Sequence, residues 1–409
     1  YIIQHAVKTW DNIRVLMLTH VGELVKQNAG KLSSIWPEAD IGICSATLGH
    51  KDTDNSIIFG NVQSVAPLLK RDANAFGMRN LIVIDECHML SEDENSQYRQ
   101  VIAALKKLRP QMRVLGLSAT PYRMKGGYLT EQKNAVFTDI VYDLNSQFER
   151  LIKEGYLAPV TTLKTKPHVD LTGVGTRAGD YKLDELQKAC GDDAMLKNSL
   201  VEVVKRSSGR RSWIVFIAGI ENCNKCAQLL REMSVSAYAV NSSFSADENA
   251  TKIEAFRKGE IRCLVSADQL TTGFDVPQVD LIAMLRPTKS PGLYVQMIGR
   301  GLRPAEGKTD CLVLDFARNI ERLGPINNPF IRARTEKKAS SKQQAPVRSC
   351  PGCQAYIPVQ ATVCPHCGQK IERNLELELK AGVLIERTFG HQPKPGRKIA
   401  TVISVDYTE

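Results

Sequence analysis

Asp85 and Glu86 stand directly after the apolar run Leu81–Ile84 (LIVI). Adjacent carboxylates at the C-terminal end of a buried parallel strand lie where open α/β sheets bind their ligands. One carboxylate placed there can hold a magnesium ion against nucleotide phosphates, and its neighbour can polarise an attacking water. A bare Asp-Glu pair is more often a helix-capping pair in a loop. Here, however, Ser118-Ala119-Thr120-Pro121 closes a later apolar run and brings small hydroxyls to the same sheet edge. Far downstream, Gln296, Arg300 and Arg303 fall in the string QMIGRGLR. Arginines three apart share a face if the segment is helical, and two guanidinium forks on one face suit a phosphate. Taken alone, that string reads as a solvated basic patch.

The second constellation is Cys350-x2-Cys353-x10-Cys364-x2-Cys367. Two CxxC knuckles a short loop apart place four thiolates around one tetrahedral zinc, as in a zinc ribbon, and metal binding is expected to fold such a small unit. The chain has 11 cysteines, an odd count, and the others sit singly or in the helical stretch Cys223–Cys226. That distribution argues against a secreted disulfide scaffold and for a reducing, cytoplasmic setting. Cys223 and Cys226 have no second pair nearby and read as structural. Cys87 fills a small-residue slot.

These groups need a scaffold. Ile13–Thr19, Ile57–Phe59, Leu81–Ile84 and Val114–Leu117 are short apolar runs. Helical patterns at residues 21–32 and 96–108 lie between them. Alternation of this kind predicts βαβ units and a parallel sheet. The pattern breaks after Met124 and resumes at Trp213–Ala218, continuing through Ala237–Val240, Cys263–Ser266, Leu281–Leu285 and Cys311–Asp315. The expected organisation is α/β: a first lobe over residues 1–145, a connecting segment over 146–205 and a second lobe over 206–325. A polar, basic linker follows over 326–349, then the four-Cys unit over 350–371 and the start of a further domain over 372–409. Ile331–Ser349 carries six basic residues and one acid and reads as a solvated tether rather than a nucleic-acid arm.

Composition narrows the function. The 409 residues are 43% hydrophobic and 24% charged, an ordinary globular balance, with 54 Lys+Arg against 44 Asp+Glu and a net charge of +10. The excess favours polyanionic partners weakly. No apolar run approaches the ~18 residues of a membrane span, and no signal peptide opens the chain.

The order of the motifs resembles superfamily 2 helicases of the DEAD/DEAH type, over about Val15 to Arg318. The segments LTHVGELVKQN (18–28), FGNVQSV (59–65), IDECH (84–88), GLSATPYR (116–123), EGYLAPV (154–160) and TTGFDVPQVDLIAMLRPTKSPGLYVQMIGRGLRP (271–304) look most like the RadD-type DNA repair helicases. The resemblance implies two tandem RecA-like P-loop NTPase lobes closing on ATP and Mg2+, with a zinc ribbon behind them. It implies Asp85 as the magnesium ligand, Glu86 as the residue placing the hydrolytic water, and Arg300 and Arg303 as the guanidinium groups opposite. Ser118 and Thr120 would couple the lobes, and Gly273, Asp275 and Gln296 would line the cleft. Thr19, His20, Gln63, Ser64 and Thr271 match motifs that touch the nucleic-acid backbone, although each could instead be a satisfied polar group at a strand end. The implied partners are DNA, single-stranded or branched, and a single-stranded-DNA-binding protein, in a nucleoid-associated setting. An RNA helicase, or a catalytically silent zinc-ribbon adaptor on a helicase scaffold, are the alternatives.

One departure is large. The phosphate-cradling loop G-x-x-x-x-G-K-[ST] is absent from the 409 residues. Residues 2–10 read as the helix that would follow that loop, so the chain is expected to be a piece cut there, and the piece alone is expected not to hydrolyse ATP at a useful rate.

Overall fold

The computed structural model describes residues 1–123, 127–177, 179–267, 275–326, 347–359, 361–364 and 367–372. The first lobe opens on the helix Ile2–Thr9. Its strands are β1 (Val15–Thr19), β2 (Ile41–Ser45), β3 (His50–Lys51), β4 (Ile57–Asn61), β5 (Leu81–Asp85) and β6 (Arg113–Leu117). They form one sheet in the order β3-β2-β4-β1-β5-β6, parallel except for the β2–β3 pair. A strand covered on both faces must be apolar at every position rather than every second one, and β1 and β4 are buried throughout. Leu16, Leu18, Ile58, Ile82 and Ile84 face one core, and Val15, Met17, Phe59, Leu81 and Val83 the other. The helix Gly22–Ile35 covers the latter with Val25, Ala29 and Leu32, a spacing that keeps all three on one stripe. At the opposite, N-terminal edge of the sheet, Arg79 is wholly enclosed. It donates to the carbonyls of Val15, Thr53, Asn55, Ser56 and Phe76.

A short hairpin, β7 (Tyr122–Arg123) and β8 (Gly127–Tyr128), leads out of this lobe. The second sheet is built from β9 (Val160–Lys164), β12 (Trp213–Ile217), β13 (Ala237–Val240), β14 (Cys263–Ser266), β15 (Leu281–Leu285) and β16 (Cys311–Asp315). Another hairpin, β10 (Thr176–Arg177) with β11 (Asp180–Tyr181), lies between β9 and β12. The sheet is all parallel, in the order β13-β14-β12-β15-β16-β9, and its central strands are fully buried. Two α/β lobes in tandem are thus present, as the sequence indicates.

Three details differ from the sequence expectation. The second sheet begins inside the segment taken as a connector: β9 pairs with β16, and the helices Leu183–Cys190 and Asp193–Arg206 add Leu186, Leu196, Leu200 and Val203 to the second lobe's core. As a half-exposed edge strand, β9 (VTTLK) has no continuous apolar run to mark it. The helix Val62–Arg71 follows β4 despite an internal Pro67; Asn61 caps it by accepting from the Gln63 amide. Finally, β17 (Val347–Ser349), placed by sequence in the linker, pairs antiparallel with β18 (Tyr356–Pro358) in the four-Cys unit. The rest of the linker and residues 373–409 lie outside the described residues.

Candidate active site

β5 delivers Asp85 to the C-terminal edge of the first sheet, half-buried. Its Oδ2 accepts from Asn28 Nδ2 at 3.1 Å, and its Oδ1 from the Glu86 amide at 3.0 Å. Burial raises its pKa, and the Glu86 charge adds to that, while the Asn28 hydrogen bond works the other way. Glu86 has φ of 50°, a left-handed conformation that costs a non-glycine residue ~1–2 kcal/mol. This turn breaks the strand and swings Glu86 towards His88, whose Nδ1 lies 3.2 Å from Glu86 Oε2.

His88 is the residue the sequence reading passed over. Its Nδ1 lies 3.0 Å from Ser118 Oγ, and its Nε2 lies 3.4 Å from Gln296 Nε2 of the second lobe. Both ring nitrogens of His88 are thus engaged, Nδ1 by Ser118 and Glu86 of its own lobe and Nε2 by Gln296 of the second. Ser118 Oγ also accepts from the Thr120 amide at 3.0 Å. Thr120 is buried, and its Oγ1 lies 3.9 Å from the point where a Cβ on Gly292 would sit. The Ser-Ala-Thr segment of one lobe therefore abuts the helix Pro291–Gly299 of the other.

That helix carries Gln296 but ends at Gly299, so Arg300 and Arg303 do not share a helical face as the sequence suggested. The chain turns instead. The Gly301 amide donates to Ile298 O, and a Cβ at Gly301 would sit 2.3 Å from Cys311 Sγ, so only glycine lets the turn lie against β16. The two arginines still converge. Arg300 is buried, and burial first, then the Arg303 guanidinium, lower its pKa to about 10, against the attraction of Glu86 and Asp275. It stays charged at neutral pH. Arg303 Nη1 donates to Asp275 Oδ1 at 2.7 Å, and Lys31 of the first lobe reaches Asp275 Oδ2 at 3.6 Å. Glu86 of the first lobe thus attracts Arg300 of the second, so a carboxylate and a guanidinium approach each other across the two lobes. Gly273 and Thr271, assigned to the cleft and to the nucleic-acid backbone, lie outside the described residues.

The remaining backbone-contact candidates sit at the ends of β1 and β4. His20 and Gln63 are exposed and paired, with Gln63 Nε2 3.2 Å from His20 Nδ1. Ser64 Oγ accepts from the Ala46 amide at 2.9 Å and is half-buried. Thr19 is fully enclosed and its hydroxyl donates to Val21 O at 3.0 Å, the satisfied strand-end role that the sequence leaves open for it. Cys87 is buried beside Gly116, its thiol pushed up to about 12 by burial, and is inert. Cys223 and Cys226 are core residues.

In the four-Cys unit, the Sγ atoms of Cys350, Cys353, Cys364 and Cys367 all lie within 4.8 Å of one another. The Cys353 and Gly352 amides pull the Cys350 thiol down to about 7, the direction a thiolate ligand needs. The donor set fits a tetrahedral zinc. Among the described residues no helix is long and apolar enough to cross a membrane.

Comparison with known proteins agrees with this geometry. Residues 1–123 match the family "Type III restriction enzyme, res subunit", and residues 195–305 match the "Helicase conserved C-terminal domain". A Saccharomyces cerevisiae protein named as an ATP-dependent helicase, IRC3, is 28% identical over 327 residues, covering 78% of this chain and 45% of IRC3. A Schizosaccharomyces pombe protein named as a mitochondrial ATP-dependent helicase, irc3, is 30% identical over 255 residues, covering 61% of this chain and 40% of its own length. The chain thus spans less than half the length of these two relatives. A Vibrio vulnificus fragment named as an HsdR subunit of a type I restriction enzyme superposes with a TM-score of 0.55 at 20% identity, covering 78% of this chain and 56% of that one. Paired parallel sheets with acids facing arginines across the gap define a tandem RecA-like α/β protein. In its two domain matches and its curated relatives the chain is similar to superfamily 2 helicases of the DEAD/DEAH type.

Proposed function

We propose that the protein couples ATP hydrolysis in the interlobe cleft to movement on DNA. The observation that carries this reading is the approach of Glu86 and His88, beside Asp85 in one lobe, to Arg300 and Gln296 of the other. Asp85 would hold Mg2+, and the ion would supply charge neutralisation for the nucleotide phosphates. Glu86, turned out of the strand and steered by His88, would orient the attacking water. Arg300 and Arg303 would meet charge developing on the transferred phosphoryl group, a role worth about 10³–10⁵ in rate in related hydrolases. The match of the first lobe to a restriction-enzyme family favours DNA as the polymer, and His20 and Gln63 are exposed at a sheet edge suited to gripping its backbone. A RadD-type role in repair, on single-stranded or branched DNA with a single-stranded-DNA-binding partner, is the finer form of the reading. Zinc in the four-Cys unit belongs to it too.

The test is ATP turnover by a version of the protein that carries a phosphate-cradling loop ahead of Ile2, with matched DNA and RNA strands. Stimulation by DNA, abolished by Glu86→Gln with nucleotide binding retained, is the expected result. Stimulation by RNA alone would overturn the choice of polymer. Near-normal turnover by the Gln variant would remove Glu86 from its role. The same chain without a loop should show no DNA-stimulated turnover.

A further inference from the structure

β9 is the outer strand of the second sheet, and all five of its residues are half-exposed. Edge strands leave main-chain donors and acceptors without sheet partners, and proteins cover them. Here the four-Cys unit is the cover. The Lys164 amide donates to the Gln354 carbonyl at 2.9 Å, and Leu163 bridges Ala355 in antiparallel fashion. Gln354 and Ala355 belong to the first knuckle itself: the Gln354 amide donates to Cys350 O at 3.0 Å, and the Cys350 amide to Ala355 O at 2.8 Å. Tyr356, the next residue, is buried in the second lobe's core. Its hydroxyl donates to Glu321 Oε1 at 3.1 Å, the same oxygen that pairs with Lys164 Nζ at 2.8 Å. Val347 of β17 packs on that core as well.

We propose that the four-Cys unit is a metal-locked clamp on the second lobe: zinc fixes the Cys350–Cys353 turn, and that turn completes the sheet edge at β9. The inference rests on the reading of the four thiols as a zinc site. Among the described residues the unit's own buried cluster is Cys350, Ile357 and Cys364, with Cys353, Ala361 and Ile371 half-buried against it, too little apolar surface to hold the turn without metal. The clamp has a route to the candidate site. The segment entering β9 donates from the Ala158 amide to Leu302 O at 2.7 Å, and the Cys311 amide donates to Pro159 O at 2.9 Å. Leu302 lies between Arg300 and Arg303, so a loosened β9 loosens the arginine turn.

The experiment uses the 409-residue chain, loaded with zinc or stripped by a chelator, with bound metal, melting temperature and amide hydrogen exchange all measured. The expected result is one zinc per chain. Stripping should lower the melting temperature and speed exchange at the Lys164 amide by about tenfold or more, while the β1 and β5 amides of the first lobe stay protected. Tyr356→Ala, which keeps all four thiols, should bind zinc yet show the fast Lys164 exchange; if that variant does not fold, the loaded-against-stripped comparison decides alone. A chain that takes up no zinc overturns the metal reading. A chain that binds one zinc but exchanges and melts identically when stripped overturns the clamp and leaves the metal site standing.

Discussion

Asp315 shows how a buried carboxylate can sit inside the second lobe away from the candidate site. It ends β16 fully buried, and its carboxylate accepts from the Ala317 and Ile320 amides at 3.2 and 2.8 Å, anchoring the helix Asn319–Leu323. Burial raises its pKa from 3.8 to about 6, although those amides and the Arg322 charge hold it down. A folded value above the unfolded one means that protonation favours the fold. The contribution is complete below the unfolded value and is lost as pH rises through the folded one. Asp315→Asn cannot ionise, so its stability relative to the unaltered chain should improve by roughly 2–3 kcal/mol between pH 4 and pH 7. Urea unfolding midpoints across that range measure it; parallel pH curves for the two proteins would show that Asp315 does not titrate in the fold. At this scale the sequence is legible where a residue's neighbours in the chain fix its role, as at Asp85 and Glu86 after an apolar strand. It misleads where orientation decides. Thr19 stands in the right motif, but β1 is covered on both faces and encloses its side chain.

Elements were readable to the degree that they are buried on both faces. β1, β5, β12, β15 and β16 announce themselves because enclosure demands unbroken apolar runs, whereas β9 is an edge strand and carries no such mark. The turn after the helix Pro291–Gly299 was misread for a related reason. Spacing of three suggests a helix, but the tight approach of Gly301 to Cys311 and Ile282 is a tertiary fact. That approach makes a sharp prediction. In Gly301→Ala the new methyl would lie 2.3 Å from Cys311 Sγ and 3.0 Å from Ile282 Cδ1, both in fully buried strands with no room to withdraw. Overpacking of this kind costs typically 1–3 kcal/mol. Thermal unfolding should register that loss, and a Cys311→Ala partner substitution, which removes the sulfur, should restore most of it. Failure of the second substitution to rescue would place the strain elsewhere.

The polar contacts described between the lobes differ in weight. Lys31 is mostly exposed and Asp275 half-exposed, and such a surface pair at 3.6 Å contributes ~0–1 kcal/mol and weakens with salt. The His88–Gln296 contact joins residues 208 positions apart and is half-buried, and it ties the same ring to Glu86 and Ser118. No local pattern could have revealed that bridge, because it exists only once two separately folded sheets face each other. Removing the ring should therefore act on lobe geometry rather than on either lobe's folding. With dyes at the exposed positions 70 and 258, single-molecule energy transfer on His88→Ala should show a broader distribution shifted to longer separations. Unfolding of each lobe should move by no more than about 1 kcal/mol, the worth of the lost hydrogen bonds. Gln296→Ala should reproduce the shift, and raising salt should add to it in both variants by removing the Lys31–Asp275 attraction. An unchanged distance distribution in His88→Ala would mean that the lobes are held without the ring, by contacts such as the packing at Thr120 and Gly292 and the Lys31–Asp275 pair, and the ring's part in joining the two lobes would have to be given up.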